Sequence, residues 1–101
     1  MSIPKHTPWG RTEHAQELAP GIWSVSTASH GGFYLDSRAL DRIPQNHQAY
    51  AAQWSHGRGP NWFEEDVAAC AVIAAYPELF LEHVVQAAKE VAARYIDRAA
   101  Q

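Results

Sequence analysis

Residues 67–75 read Val-Ala-Ala-Cys-Ala-Val-Ile-Ala-Ala, an unbroken apolar run between Glu64-Glu65-Asp66 and Tyr76-Pro77. A helix that is apolar all round must be buried on every side, so this run predicts a central helix, expected over residues 62–75. Ala68, Ala69, Ala71, Ala74 and Ala75 would let neighbouring backbones approach closely. The stretch 67–76 is about half as long as the roughly 18 apolar residues that a membrane-spanning helix needs. A membrane role is therefore disfavoured.

Alanine supplies 18 of the 101 residues, and Leu, Ile, Val and Phe together supply only 19. An aliphatic share below about a fifth signals disorder when net charge is high. Here the net charge is −3, and four Trp with four Tyr add bulk. One folded domain spanning 1–101 is expected, aromatic at one end and packed with alanine-rich helices at the other. The single cysteine, Cys70, excludes an intrachain disulfide and a cysteine-only zinc site, and its apolar setting points to an inert thiol. The N-terminus lacks the apolar stretch of a signal peptide, which points to the cytoplasm. Arg38 with Arg42 and Arg94 with Arg98 are accompanied by acids, so direct nucleic-acid binding is disfavoured, as is charge mimicry of DNA.

Pattern and punctuation assign the rest of the chain. Residues 1–6 are expected to be flexible, a short helix is read over 10–19, and Pro20-Gly21 stops it. Residues 22–27 alternate, placing Trp23, Val25 and Thr27 on one face and Ile22, Ser24 and Ser26 on the other. A glycine-containing turn over 28–32 then leads into Phe33-Tyr34-Leu35, forming a β-hairpin. Asp36 or Ser37 can cap a helical turn reaching Arg42, and Pro44 opens a segment through Trp54. Residues 55–60 read as a surface loop. Asn61 with Glu64 resembles a capping box at the start of the central helix. A last helix from Pro77 or Glu78 to Arg98 carries Leu81, Val84, Val85, Ala88, Val91, Ala92 and Tyr95 on one stripe. The expected fold is α+β: a small hairpin packed on three to five helices, with a long C-terminal helical pair over 62–98.

Chemistry concentrates in Ser26-Thr27-Ala28-Ser29-His30-Gly31-Gly32. Glycines there could bring backbone amides to an anion, and His30 is the natural base or metal ligand. The same composition also suits a tight turn whose hydroxyls bond the local backbone. Glu64 and Glu65 suit the start of a helix, while Asp66 lies on an apolar face and is expected to point inward, with His30 or a hairpin hydroxyl as partner. His30 with Asp66 or Glu65 could thus be a catalytic pair or a structural clasp. His14 with Glu13 and Glu17 is a weak cluster. None of the six histidines has zinc-site spacing, so no metal or other cofactor is expected. Trp9, Trp23, Trp54 and Trp62 belong mostly to the core, with at least one exposed aromatic patch.

In order along the chain, Thr7-Pro8-Trp9-Gly10, Gly21-Ile22, Ser26-Thr27-Ala28-Ser29-His30-Gly31-Gly32, Trp62-Phe63-Glu64-Glu65-Asp66 and Pro77-Glu78-Leu79-Phe80 resemble an uncharacterised domain of phages, plasmids and other mobile elements. The resemblance covers residues 7–80, and in larger members the domain accompanies antirestriction segments. Members usually carry Tyr where this chain has Phe63. The resemblance brings no catalytic residues with it, but it implies an inhibitor of a bacterial defence system, of the anti-CRISPR or antirestriction type. Such a protein would bind a subunit of the defence complex in the host cytoplasm, as a monomer or homodimer. Its candidate binding residues are Ser26, Thr27, Ser29, His30, Trp9, Trp23 and Trp62. The alternative is a small enzyme or a nucleotide- or anion-binding module using His30 with Asp66 or Glu65.

Overall fold

The computed structural model describes residues 5–55 and 57–98. Within them, two short strands, β1 (His6–Thr7) and β2 (Gly10–Arg11), form a small antiparallel ribbon. β3 (His14–Ala19), β4 (Ile22–Ser26), β5 (Gly31–Leu35) and β6 (Trp62–Glu64) form an antiparallel sheet in the order β3-β4-β5-β6. The helices are α1 (Gln45–Gln53), α2 (Val67–Ala75) and α3 (Glu82–Ala92), and α3 continues as a π-helical turn over Ala93–Asp97. The fold is α+β, as expected. The expected hairpin supplies the two inner strands of a larger sheet. Of residues 1–6, expected to be flexible, 1–4 lie outside the described residues, and His6 pairs with Arg11 in the β1–β2 ribbon.

The sheet has two working faces because its side chains alternate. Cross-strand pairing of Ile22 with Leu35, Ser24 with Phe33, and Phe33 with Phe63 defines one face. Ile22, Leu35 and Phe63 join a core with Leu40, Ile43, Ala51, Ala68, Ala71, Val72, Tyr76, Ala92 and Ile96. Each fully buried Ile, Leu or Phe there contributes about 1.5–3 kcal/mol. The opposite face carries Trp23, Val25, Tyr34 and Trp62. α2 lies at the centre, packed on α1, α3, β5 and β6, with Ala68, Ala69 and Ala71 buried in the close approaches.

Several expectations are corrected. Residues 10–19 form no helix: β3 pairs with β4, Ala15 opposite Val25 and Glu17 opposite Trp23. Pro20-Gly21 is the two-residue turn between those strands, with Gly21 at φ 83° as such a turn requires. A register shift between Glu17 and Ala19 leaves Leu18 as the extra residue, packed against the core. The expected His14, Glu13 and Glu17 cluster is therefore not on a helix, and Glu17 instead accepts the Gly21 N–H at 3.3 Å.

The capping box at Asn61 and Glu64 does not form, and the central helix starts five residues later than Trp62. The Asn61 side-chain amide donates to the Leu35 carbonyl at 2.7 Å, and the Leu35 N–H donates to the Asn61 carbonyl at 2.9 Å. Trp62 and Phe63 are 4% and 0% exposed on opposite faces of the sheet. Only an extended backbone can bury two consecutive large side chains in opposite directions. The last helix is also interrupted: Pro77–Leu79 is a short 3-10 turn, Phe80 and Leu81 are extended, and α3 begins at Glu82. Its buried stripe is Val85, Ala88, Ala92 and Ile96, whereas Leu81 and Tyr95, expected on that stripe, are 68% and 51% exposed. Ser55, read as part of a surface loop, is buried with its hydroxyl donating to the Ala52 carbonyl at 3.0 Å. Asp36 caps the turn over Ala39–Arg42 as expected, accepting the Ala39 N–H at 2.8 Å.

Candidate functional site

The chemistry-bearing string lies where β4 turns into β5. Thr27 N–H donates to the His30 carbonyl at 2.7 Å, and His30 N–H donates to Thr27 Oγ1 at 3.1 Å. The Thr27 hydroxyl also lies 3.0 Å from the His30 carbonyl and can donate to it, so it braces a tight turn over residues 27–30. Ser29 is exposed and Ser26 is half-buried in β4. Gly31 and Gly32, expected in the turn, are strand residues without positive φ.

Gly32 is instead a close-approach position. A Cβ there would clash with the Phe63 carbonyl oxygen and stand 2.7 Å from Cη2 of Trp9. The turn between β1 and β2 aims that indole: Thr7 Oγ1 accepts the Trp9 N–H at 3.0 Å and donates to the Gly10 carbonyl at 2.9 Å. Trp9 meets Trp62 edge-on at 5.8 Å, and Tyr34 lies tilted on Trp62 at 4.7 Å. These aromatics, with half-buried Trp23, form the second core on the outer face of the sheet.

His30 meets Glu65, with Nδ1 and Oε1 at 3.6 Å. Their side chains are 55% and 48% exposed, so water screens the pair. The Glu65 N–H donates to the Gly31 carbonyl at 2.9 Å, which extends the β5–β6 ladder and sets the carboxylate beside the hairpin turn. Asp66 is not brought to His30, and it is exposed rather than turned inward. It holds the N-cap position of α2 without capping it. Asp66 lines a groove of about 250 Å³ with Tyr50, Trp54, Glu64, Val67 and Ala68. Glu64 Oε1 accepts the Asp66 N–H at 2.8 Å, fixing one carboxylate at the groove. Trp54 is 48% exposed. The i,i+4 spacing of Tyr50 and Trp54 was the only signal of this groove in the sequence.

Two further polar clusters were not anticipated. Asp97 Oδ1 accepts the Asn46 amide at 2.9 Å and lies 2.7 Å from His47 Nε2, joining α1 to the C-terminal turn. The hydrogen bond from Asn46, then that from His47, holds the Asp97 carboxyl below the usual carboxylate range. Arg42 donates to both Glu78 oxygens at 2.6 and 3.1 Å and to the Ala75 carbonyl at 2.5 Å, and its guanidinium lies 4.1 Å over the Tyr76 ring. The hydrogen bond from Arg42 lowers the Glu78 carboxyl. Cys70 lies 3.6 Å from the Asp66 carbonyl, and burial pushes its thiol up, with the Asp66 charge adding to that. Among the described residues, no three His, Cys, Asp or Glu side chains come together in a way that could hold a metal ion. None of their helices is long and apolar enough to cross a membrane.

The model of a family described as a domain of unknown function, DUF7007, matches residues 2–100. The chain belongs to that family, which agrees with the expectation of an uncharacterised one and takes in the whole stretch 7–80 that carries the resemblance. No curated protein and no solved structure matches the chain.

Proposed function

We propose that this member of the DUF7007 family is a binding protein that inhibits a bacterial defence complex, of the anti-CRISPR or antirestriction type, by direct contact with one of its protein subunits. The observation that carries the reading is Trp54, a tryptophan left 48% exposed beside Tyr50, with ring centroids 6.3 Å apart. Half-exposed aromatics of this kind are the side chains that dominate protein–protein binding energy. Thr27, by contrast, spends its hydroxyl within its own turn, and Trp62 is buried. The resemblance of its motifs to a domain of mobile elements supports the defence context, and with it a place in the host cytoplasm. The protein acts as a monomer or homodimer.

The test is expression in bacteria carrying a defined CRISPR or restriction system, with phage plating efficiency as the readout. Inhibition that Trp54→Ala abolishes without lowering the melting temperature supports the reading. Full defence in every system tested, with no defence subunit retained on the immobilised protein, refutes it.

The His30–Glu65 pair favours a second reading, a small enzyme or an anion-binding module at the hairpin turn. His30→Ala separates the two, because contact inhibition through Trp54 survives it and chemistry at His30 does not.

A further inference from the structure

We propose that the groove between the end of α1 and the start of α2 is a receptor for one arginine side chain of a partner protein. The proposal rests on the contact-inhibitor reading and gives it a chemical specificity. Four of the six lining residues are aromatic or anionic: Tyr50, Trp54, Glu64 and Asp66. None is cationic, and the last turn of α1, whose carbonyl end borders the groove, holds no basic residue. The two carboxylates favour a positive guest.

Asp66 makes the charge argument specific. An aspartate at an N-cap ordinarily accepts a hydrogen bond from its own helix, which stabilises the protein by roughly 1 kcal/mol. Asp66 makes no such bond, and it is an exposed residue of the groove lining. The Asp66 N–H donates to the Glu64 carboxylate at 2.8 Å, and both acids line the groove. The rings of Tyr50 and Trp54, inclined at 51°, supply the flanking π-faces.

A cation beside an aromatic face and within reach of two carboxylates is the geometry that guanidinium suits better than ammonium. It is planar, stacks on rings, forks two hydrogen bonds to a carboxylate, and sheds water more easily. The volume, about 250 Å³, lies below the roughly 300–1,000 Å³ of sites for drug-sized ligands and suits a single side chain.

The experiment titrates the intact protein with N-acetyl-arginine amide, following the Trp54 indole and the Glu64 and Asp66 amides by NMR. The isosteric but neutral N-acetyl-citrulline amide and N-acetyl-lysine amide are the comparison probes. Saturable shifts confined to the groove, strongest for arginine, absent for citrulline and weakened by added salt, are expected. Trp54→Ala should weaken binding about 2- to 5-fold, the usual size of an exposed cation–π contact. Asp66→Asn should weaken it as well, and both variants should melt with the wild type. No saturable shift, equal response to citrulline, or tighter binding of lysine overturns the proposal. Plating assays on the same variants separate the two levels. Inhibition retained by Asp66→Asn alongside absent arginine binding sinks the groove assignment and leaves contact inhibition standing. Arginine binding without inhibition of any defence system does the reverse.

Discussion

Gly31 and Gly32 are adjacent and chemically identical, yet the structure assigns them very different tolerance for a methyl group. At Gly32 a Cβ would run into the backbone oxygen of Phe63 and approach Cη2 of Trp9 to 2.7 Å. β5 cannot slide away, because it is hydrogen-bonded to β4 on one side and to β6 on the other. Overpacking of this kind costs about 1–3 kcal/mol. For a domain of this size each kcal/mol lowers the melting temperature by about 4–8 °C, so Gly32→Ala should melt some 5–20 °C below wild type. At Gly31 the nearest atoms to an added Cβ are Glu65 Oε2 and the Val25 carbonyl, each at 3.3 Å. The first is the end of an exposed, flexible side chain, so Gly31→Ala should cost less than half as much. Urea denaturation followed by tryptophan fluorescence measures both variants. Trp9→Ala should cost less on the Gly32→Ala background than on wild type, because the clash with the indole is then gone, while the clash with the Phe63 carbonyl remains. Gly32→Ala within about 0.5 kcal/mol of wild type, the range of an uneventful surface change, or a larger loss at Gly31, would refute the close-packing account of the motif.

Acid sensitivity follows from Glu78 and Asp97, whose carboxyls are held low by Arg42 and by Asn46 with His47. Depressed folded-state values mean that their stabilisation is complete above the unfolded carboxylate range near pH 4 and is lost as pH falls through the folded values. Stability measured from pH 6 to pH 2 should therefore drop more gently in Asp97→Asn than in wild type, and an identical acid limb would contradict this. Tyr76→Phe removes the hydroxyl that donates to the buried Ala39 carbonyl at 2.6 Å, and should destabilise by about 1–3 kcal/mol in the same urea assay. Cys70 should react with iodoacetamide at pH 8 more slowly in the folded protein than in urea, because burial keeps its thiol protonated.

The sequence was legible where a segment's own pattern decided its structure. α2 is apolar on every side and lies at the centre, and β4 alternates and puts Ile22 and Val25 on opposite faces. It was illegible where a distant partner decided. β3 is exposed on both faces from His14 to Glu17, so its strand character comes from the backbone ladder to β4 and leaves no mark in side-chain polarity. The Asn61 and Glu64 pair carries a genuine capping signature, overridden because the Asn61 amide meets the Leu35 carbonyl, 26 residues away. The candidate site failed in the same manner. Glu65 and Asp66 are neighbours, and only knowing that β6 ends between sheet and helix tells which of them faces His30.

The string from Ser26 to Gly32 and its companions Thr7-Pro8-Trp9-Gly10 and Trp62-Phe63 turn out to be parts of one packing arrangement. Thr7 aims the Trp9 backbone, Gly32 leaves room for the indole, Trp62 receives its edge, and Thr27 closes the turn that starts β5. Each of these residue types is required by geometry before any ligand is considered. A pattern so fully engaged in seating the β1–β2 ribbon on the sheet can mark a fold without marking an activity. The residues free to carry a partner are then those that the arrangement leaves exposed. His30 and Glu65 sit at its rim, screened by water, whereas Trp54, Tyr50 and Asp66 lie outside it in a groove of their own. Surface variation at the groove should therefore alter binding while leaving the fold intact, and variation within the string should alter the fold first.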